Sequence, residues 1–287
     1  MSKTILVTGA TGRVSTSVLE ALEGSNHTVR ALVHDPAKGA ALEARGFEVF
    51  VGDFDRPRTL PPAFEGADAV WLLTRPGPQA PDQNSSAIRA ARRANVSFVL
   101  RLSAVGAAHN APTINSRSHA LSDHELAVSG IPYAIVKPHF FMQNLLRQAR
   151  SVAQGVLPMA LGDGRMGLID TRDIGLFAAK VLMTGGHEGR TYTITGPESL
   201  DMAAVAEQMS AGLGRPVRYE AISLEQTEAA LANWGASSWM IESIHDYYTA
   251  YASGWGDFVT DDFERVIGRA PRSVETFARD FAAELTA

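Results

Sequence analysis

Six short apolar runs, KTILVT, TVRALV, FEVFVG, DAVWLLT, VSFVLRLS and PYAIVK, alternate with helix-like segments from the start of the chain to Lys137. Each run is rich in β-branched and aromatic residues and nearly continuous in apolar character, as strands buried on both faces must be. The segments between them, among them TSVLEALEGS, DQNSSAIRAARRAN and SHALSDHELAVSG, have helical spacing, and several close on a glycine or Gly-Ser stop. Strands and helices in alternation favour a parallel sheet with right-handed crossovers. The expected fold class is therefore α/β, a doubly wound Rossmann-type sheet whose ligands bind at the carboxyl ends of the strands.

After Lys137 the alternation breaks. PHFFMQNLLRQAR reads as an aromatic-led amphipathic helix, GDGRMGLID as a loop with a short strand, and RTYTIT and RPVRYEAIS as late strands among helices. These features predict a dinucleotide-binding core over 1–155. A smaller, mostly helical C-terminal lobe over 156–287, interleaved with the late strands, would face the substrate.

Composition removes several function classes. With 45% apolar and 20% charged residues in 287, the chain can bury a large core. A net charge of -5, with no basic run longer than Arg92-Arg93, argues against a nucleic-acid partner. The chain has no cysteine, which excludes thiolate chemistry, disulfides and cysteine-ligated metals. His109, His124 and Asp123 lack metal-ligand spacing, so no metal is expected. No stretch has the length of a membrane span and no signal-peptide core precedes the first strand, so a cytoplasmic, membrane-free protein is expected.

TGATGRVSTSV, residues 8–18, joins the first strand to the first helix. Gly9 permits the tight turn, and Gly12 lets the helix-start amides of the Thr11–Val14 stretch, Arg13 included, approach a pyrophosphate. Ser15 stands where a third glycine would pack helix on strand, and its hydroxyl is expected to bond a carbonyl one turn earlier. At the end of the second strand, His34 and Lys38 join Arg13 as a cationic set suited to the extra phosphate of NADP, although the neighbouring Asp35 would suit NAD. Asp53 and Phe54 follow the third strand as candidates for the adenine, and Leu73 and Thr74 end the fourth strand on the same edge.

TGATGRV, VRALVHDPAK, GDFDRPRTLPPAFEGADAVWLLT, SGIPYAIVKPHFFMQNLL, DTRDIG and GHEGRTYTITGPESL together resemble the NmrA-like group of atypical short-chain dehydrogenases/reductases. That group includes NADPH-dependent quinone reductases, triphenylmethane dye reductases and nucleotide-sensing regulators. The resemblance spans essentially the whole chain. It implies an extended Rossmann fold with a small substrate-facing lobe and a nicotinamide dinucleotide along Gly9 to Val14. Ser15, His34 and the VKPHF stretch depart from the group's usual pattern.

Most short-chain dehydrogenases carry a Tyr-x-x-x-Lys pair in the helix before SGIPYAIVKP. Alignment on Ser129 and Gly130 places Asn115 and His119 at those positions. His119 is the candidate catalytic and ribose-contacting residue, and Asp123, one turn on, is expected to pair with it and favour the imidazolium. Ser103, ending the fifth strand, could polarise a carbonyl or touch the cofactor. Lys137, ending the sixth, could contact ribose or an anionic substrate, or pair with Asp170 or Asp173. Phe140, Phe141 and Asn144 in HFFMQN are candidates for holding a flat substrate. So is Trp234, in an aromatic-rich stretch that would form a lid or a homodimer surface.

Three functions are compatible with these residues. The first is an NAD(P)H-dependent reductase acting on a planar conjugated acceptor, such as a quinone or a related aromatic or natural-product compound. The second is a non-catalytic dinucleotide-sensing regulator. The third is a non-redox cyclase or dehydratase on the same scaffold.

Overall fold

The computed structural model describes residues 2–287. Among the described residues there are nine strands: β1 (Thr4–Val7), β2 (Thr28–Val33), β3 (Glu48–Val51), β4 (Ala69–Leu72), β5 (Phe98–Leu102), β6 (Tyr133–Pro138), β7 (Val156–Met159), β8 (Arg190–Ile194) and β9 (Arg218–Ala221). Seven form one sheet in the order β3-β2-β1-β4-β5-β6-β8, and β7 pairs with β9 in a separate parallel pair. The registers from β3 to β6 are parallel, for example Leu6 with Arg30 and Val70, and Leu100 with Trp71 and Ala134. The chain winds outward from β1 to β3, then returns to β4 and winds the other way. The order therefore reverses between β1 and β4, where a doubly wound sheet leaves its ligand crevice. The expected α/β fold class is observed.

The apolar runs explain the sheet. Ile5, Leu6, Val7, Val70 and Trp71 are at most 1% exposed, as central strands covered on both faces require. Helix Ala80–Arg93 packs Ala87, Ile88 and Ala91 into a cluster with Leu6, Val70, Phe64 and Leu126. Helices Arg13–Leu22 and Thr171–Met183 meet backbone to backbone, since a Cβ on Gly175 would lie 2.4 Å from the Ser17 carbonyl.

The chain forms two compact units. The first comprises residues up to His109, Asn115–Lys137 and Arg172–Tyr192; the second comprises Asn110–Ile114, Pro138–Thr171 and Thr193–Ala287. Residue 155, the expected domain boundary, falls within the second unit's Pro138–Thr171 segment. The core of that unit gathers Met142, Leu157, Met202, Val205, Met209, Phe277 and Leu285. The helix expected to start at PHFFMQ instead begins as a 3-10 turn at Met142 and is α-helical only over Ala149–Val152. The Met142 N–H bonds the Ile169 carbonyl and the Phe140 carbonyl accepts from Ile169 N–H, which keeps the aromatic pair extended. GDGRMGLID holds no strand, only the isolated bridges Met166 to Leu200 and Phe141 to Ile169.

His139 is a buried ionisable group of this second unit. Its Nδ1 accepts from the Phe140 N–H at 2.8 Å, its Nε2 donates to the Gly256 carbonyl at 3.1 Å, and its ring stacks on Tyr251. Burial lowers its pKa to about 4, against the raising effect of the Gly256 hydrogen bond. The unfolded chain therefore binds a proton that the folded chain refuses between about pH 6.5 and 4, so stability falls as pH falls through that window. Denaturant unfolding is expected to show a loss of about 1.5 kcal/mol from this residue between pH 6.5 and 5. In His139→Gln the pH dependence should be shallower by that amount. An equal slope in both proteins would assign the acid sensitivity to other groups.

Candidate functional site

The turn after β1 is built as its glycines require. Gly9 has φ +58°, and a Cβ there would press on the Leu73 carbonyl at 3.3 Å. Gly12 is the N-cap of helix Arg13–Leu22, with extended backbone and no side-chain cap, and its N–H bonds the Gly9 carbonyl at 2.8 Å. The amides of the first helical turn are thus left for an external acceptor, at the helix end that favours an anion. Thr11, Gly12 and Arg13 are exposed, and Val14 is buried.

Ser15 does not bond the carbonyl one turn earlier that its position predicts. Its hydroxyl donates to the Thr8 carbonyl at 2.8 Å and accepts from the Trp71 indole N–H at 3.0 Å, and both side chains are fully buried. The side chain that displaces the third glycine therefore pins the helix to β1 and β4. Ser15→Gly would strand the buried indole donor, and a loss of about 1–3 kcal/mol in unfolding free energy is expected. Thermal and denaturant melts check this; an unchanged midpoint would mean that the Trp71 N–H is satisfied in another way.

At the carboxyl ends of β2 and β3, His34 Nε2 lies 3.4 Å from Asp53 Oδ2, and Arg56 approaches the same carboxylate at 3.7 Å. Asp35 caps the turn at Pro36–Lys38 by accepting from the Ala37 N–H, and Lys38 is exposed. Phe54 is partly buried against the cluster containing Leu32 and Leu60. The Leu73 N–H bonds the Thr8 hydroxyl at 2.9 Å, and the Thr74 hydroxyl accepts from Asn84 Nδ2 at 2.8 Å.

The remaining candidates converge on one residue that the sequence reading did not select. Arg101, the last residue but one of β5, is 1% exposed, and all of its guanidinium nitrogens are engaged. Nε donates to Asn84 Oδ1 at 3.2 Å, Nη1 forms a close ion pair with Asp123, and Nη2 lies 3.2 Å from His119 Nδ1. Ser103 donates to the other Asp123 oxygen at 2.7 Å. Lys137 donates to the Ala107 carbonyl at 3.0 Å and lies 3.6 Å from Asp123. The carboxylate Lys137 meets is thus Asp123, while Asp170 accepts from Gln143.

His119 and Asp123 are not the pair that their spacing suggested, because Arg101 lies between them. With a guanidinium at Nδ1 and burial around the ring, the His119 pKa lies well below its usual value, first through desolvation and then through Arg101 and Lys137. The expected imidazolium is overturned: the ring is neutral at neutral pH.

Of the proposed substrate residues, Phe140 packs on the second unit's core, edge-on to Tyr251. Phe141 pairs with Ile169 and accepts at its carbonyl from the half-buried Asn144. Trp234 is 70% exposed, with the Arg147 guanidinium 5.4 Å from its ring. Among the described residues no cluster of three or more His, Asp or Glu could hold a metal, and no helix is long and apolar enough to cross a membrane.

A parallel sheet whose order reverses beside a glycine turn and an uncapped helix start defines a dinucleotide-binding α/β protein. The chain belongs to the NmrA-like family, whose sequence model matches residues 1–254. It is 37% identical over 283 residues to an NAD(P)H azoreductase of Xenophilus azovorans, covering 97% of this chain and 98% of that one. It is 30% identical to quinone oxidoreductase 2 of Escherichia coli (strain K12), over 84% and 86% of the two chains. The crystal structure of an Escherichia coli NADPH-dependent quinone oxidoreductase in complex with NADPH superposes with a TM-score of 0.86 at 26% identity, covering 97% of this chain and 99% of that one.

Proposed function

We propose that this protein is an NADPH-dependent reductase of planar conjugated acceptors, of the quinone or azo type. The observation that carries the reading is the uncapped helix start at Gly12, at the point where the strand order reverses. It suits a pyrophosphate, and the relatives named for NAD(P)H-dependent reduction supply the reaction class. The residues fit the cofactor: Gly9 and Gly12 make a turn in which any side chain would crowd a carbonyl oxygen. Thr11 to Val14 would hold the pyrophosphate. Arg13, His34 and Lys38, all exposed, would meet a 2′-phosphate, and Asp35 is occupied as a cap instead of being offered to a ribose diol.

When bound, the nicotinamide supplies a hydride. Reduction of a quinone then takes one hydride and one proton to give the hydroquinone. Because the developing charge rests on a phenolate-like oxygen, water can protonate it, and no tyrosine acid is required. In this reading His119 gives a hydrogen bond from its neutral Nε2–H to the atom where charge develops, or to the ribose beside it. The preorganised dipole assists without giving up its proton. Lys137 and Ser103, both held by Asp123, would support the same edge.

The test is NADPH consumption against a panel of quinones and azo dyes, with NADH in parallel. Steady turnover with NADPH preferred is expected, and in Lys38→Glu the preference for NADPH over NADH should fall by about tenfold, the value of one lost charge-assisted contact. Inertness toward every acceptor despite tight cofactor binding would overturn the reductase reading.

A further inference from the structure

Arg101 is a buried cation near the carboxyl end of β5 that the proposed chemistry does not directly use. Burial of a guanidinium is costly, so each of its contacts asks for a reason. Asp123 supplies the counter-charge. Asn84 ties the arginine to Thr74 at the end of β4 through a 2.8 Å hydrogen bond. The third contact, to His119 Nδ1, contributes nothing to charge balance. A guanidinium can only donate, so the Nδ1 it meets must carry a lone pair, and the ring proton must sit on Nε2.

We propose that Arg101 is a positioning residue for His119: by donating from Nη2 to Nδ1 it holds the imidazole as the Nε2–H tautomer, so that His119 is a permanent hydrogen-bond donor, not an acid or base. The role of that donor in turnover rests on the reductase reading; the tautomer does not. The two cations beside the ring act in the same sense. Arg101 from β5 and Lys137 from β6 both oppose a proton on Nδ1. Asp123, on the same helix, is taken up by Arg101, Ser103 and Lys137. Glu125 accepts from Ser85 on helix Ala80–Arg93, and His124 faces His109. Among the described residues, the helix's two carboxylates, Asp123 and Glu125, are thus engaged by other partners. The arginine also couples two parts of the cofactor edge, because the Thr74–Asn84–Arg101–His119 chain fixes a β4 residue and the imidazole through one guanidinium.

The experiment is nitrogen-15 NMR of the histidine rings of the full-length, ligand-free protein across about pH 5.5 to 8, the range in which an ordinary histidine titrates. His119 is expected to show an unprotonated Nδ1 and a protonated Nε2, with shifts that do not move. In Arg101→Gln/Asp123→Asn, which removes both buried charges together and so protects the fold, His119 is expected to lose its fixed tautomer, its Nδ1 and Nε2 shifts moving toward each other as the proton is shared between the two nitrogens. A wild-type His119 that titrates in this range, or carries its proton on Nδ1, overturns the proposal, as does a double variant in which the ring stays fixed. No cofactor or acceptor enters the measurement. Failure of the reductase reading with a fixed tautomer, or turnover with a titrating His119, would therefore separate the two claims.

Discussion

Gly12→Val is expected to leave a folded protein whose affinity for NADPH is reduced by more than about a hundredfold, roughly 2.7 kcal/mol. The backbone itself accepts the change, because Gly12 sits at φ -83° and ψ 151°, a conformation open to any L residue. The exposed position also lets the helix start persist. What changes is the surface above the first helical turn. A Cβ lies 3.2 Å from the Gly9 carbonyl, and the branched methyl groups of valine stand over the amides that an anion must reach. Calorimetric titration with NADPH, paired with circular dichroism, separates loss of binding from loss of fold. Unchanged affinity in a folded variant would place the cofactor elsewhere.

Asp123→Ala is expected to destabilise the protein by about 3–5 kcal/mol, because it leaves Arg101 buried and uncompensated. Ser103 loses its acceptor as well. Replacing both members of the pair, as in Arg101→Gln/Asp123→Asn, should cost less than the sum of the single replacements, since neither charge is then left alone. Urea unfolding of the three variants measures this. A cost below about 1 kcal/mol for Asp123→Ala would mean that water or a shifted Lys137 neutralises the site, and the buried network would not be the rigid support assumed for His119.

The sheet was legible because each central strand is an uninterrupted apolar run and each is separated from the next by a helix with recognisable ends. Gly9 was legible for a similar reason: a left-handed residue directly after a strand has few substitutes, and its φ of +58° shows the requirement. The bond partners of Ser15 were not legible, because the nearest carbonyls in sequence are those one turn earlier, at Thr11 and Gly12, whereas Trp71 is brought to it only by β1 pairing with β4. The His119 environment failed for a related reason. The four-residue spacing correctly puts His119 and Asp123 on one helix face, but the space between them is filled from β5. One signal was available: an arginine inside the run VSFVLRLS must be paired if the strand is buried on both faces. In the second unit, aromatic clustering said that a core exists without saying how it is arranged. The 3-10 start at Met142 is set by a hydrogen bond to Ile169, which local propensity does not contain.

The central claim is that hydride passes from bound NADPH to a conjugated acceptor. The measurement that tests it most directly is an anaerobic single turnover of the NADPH-loaded protein with a quinone, comparing ordinary NADPH with NADPH deuterated on the transferred face. One NADPH is expected to be consumed per hydroquinone formed, with slower consumption of the deuterated cofactor. Bound NADPH that stays unoxidised when the quinone is added would contradict it.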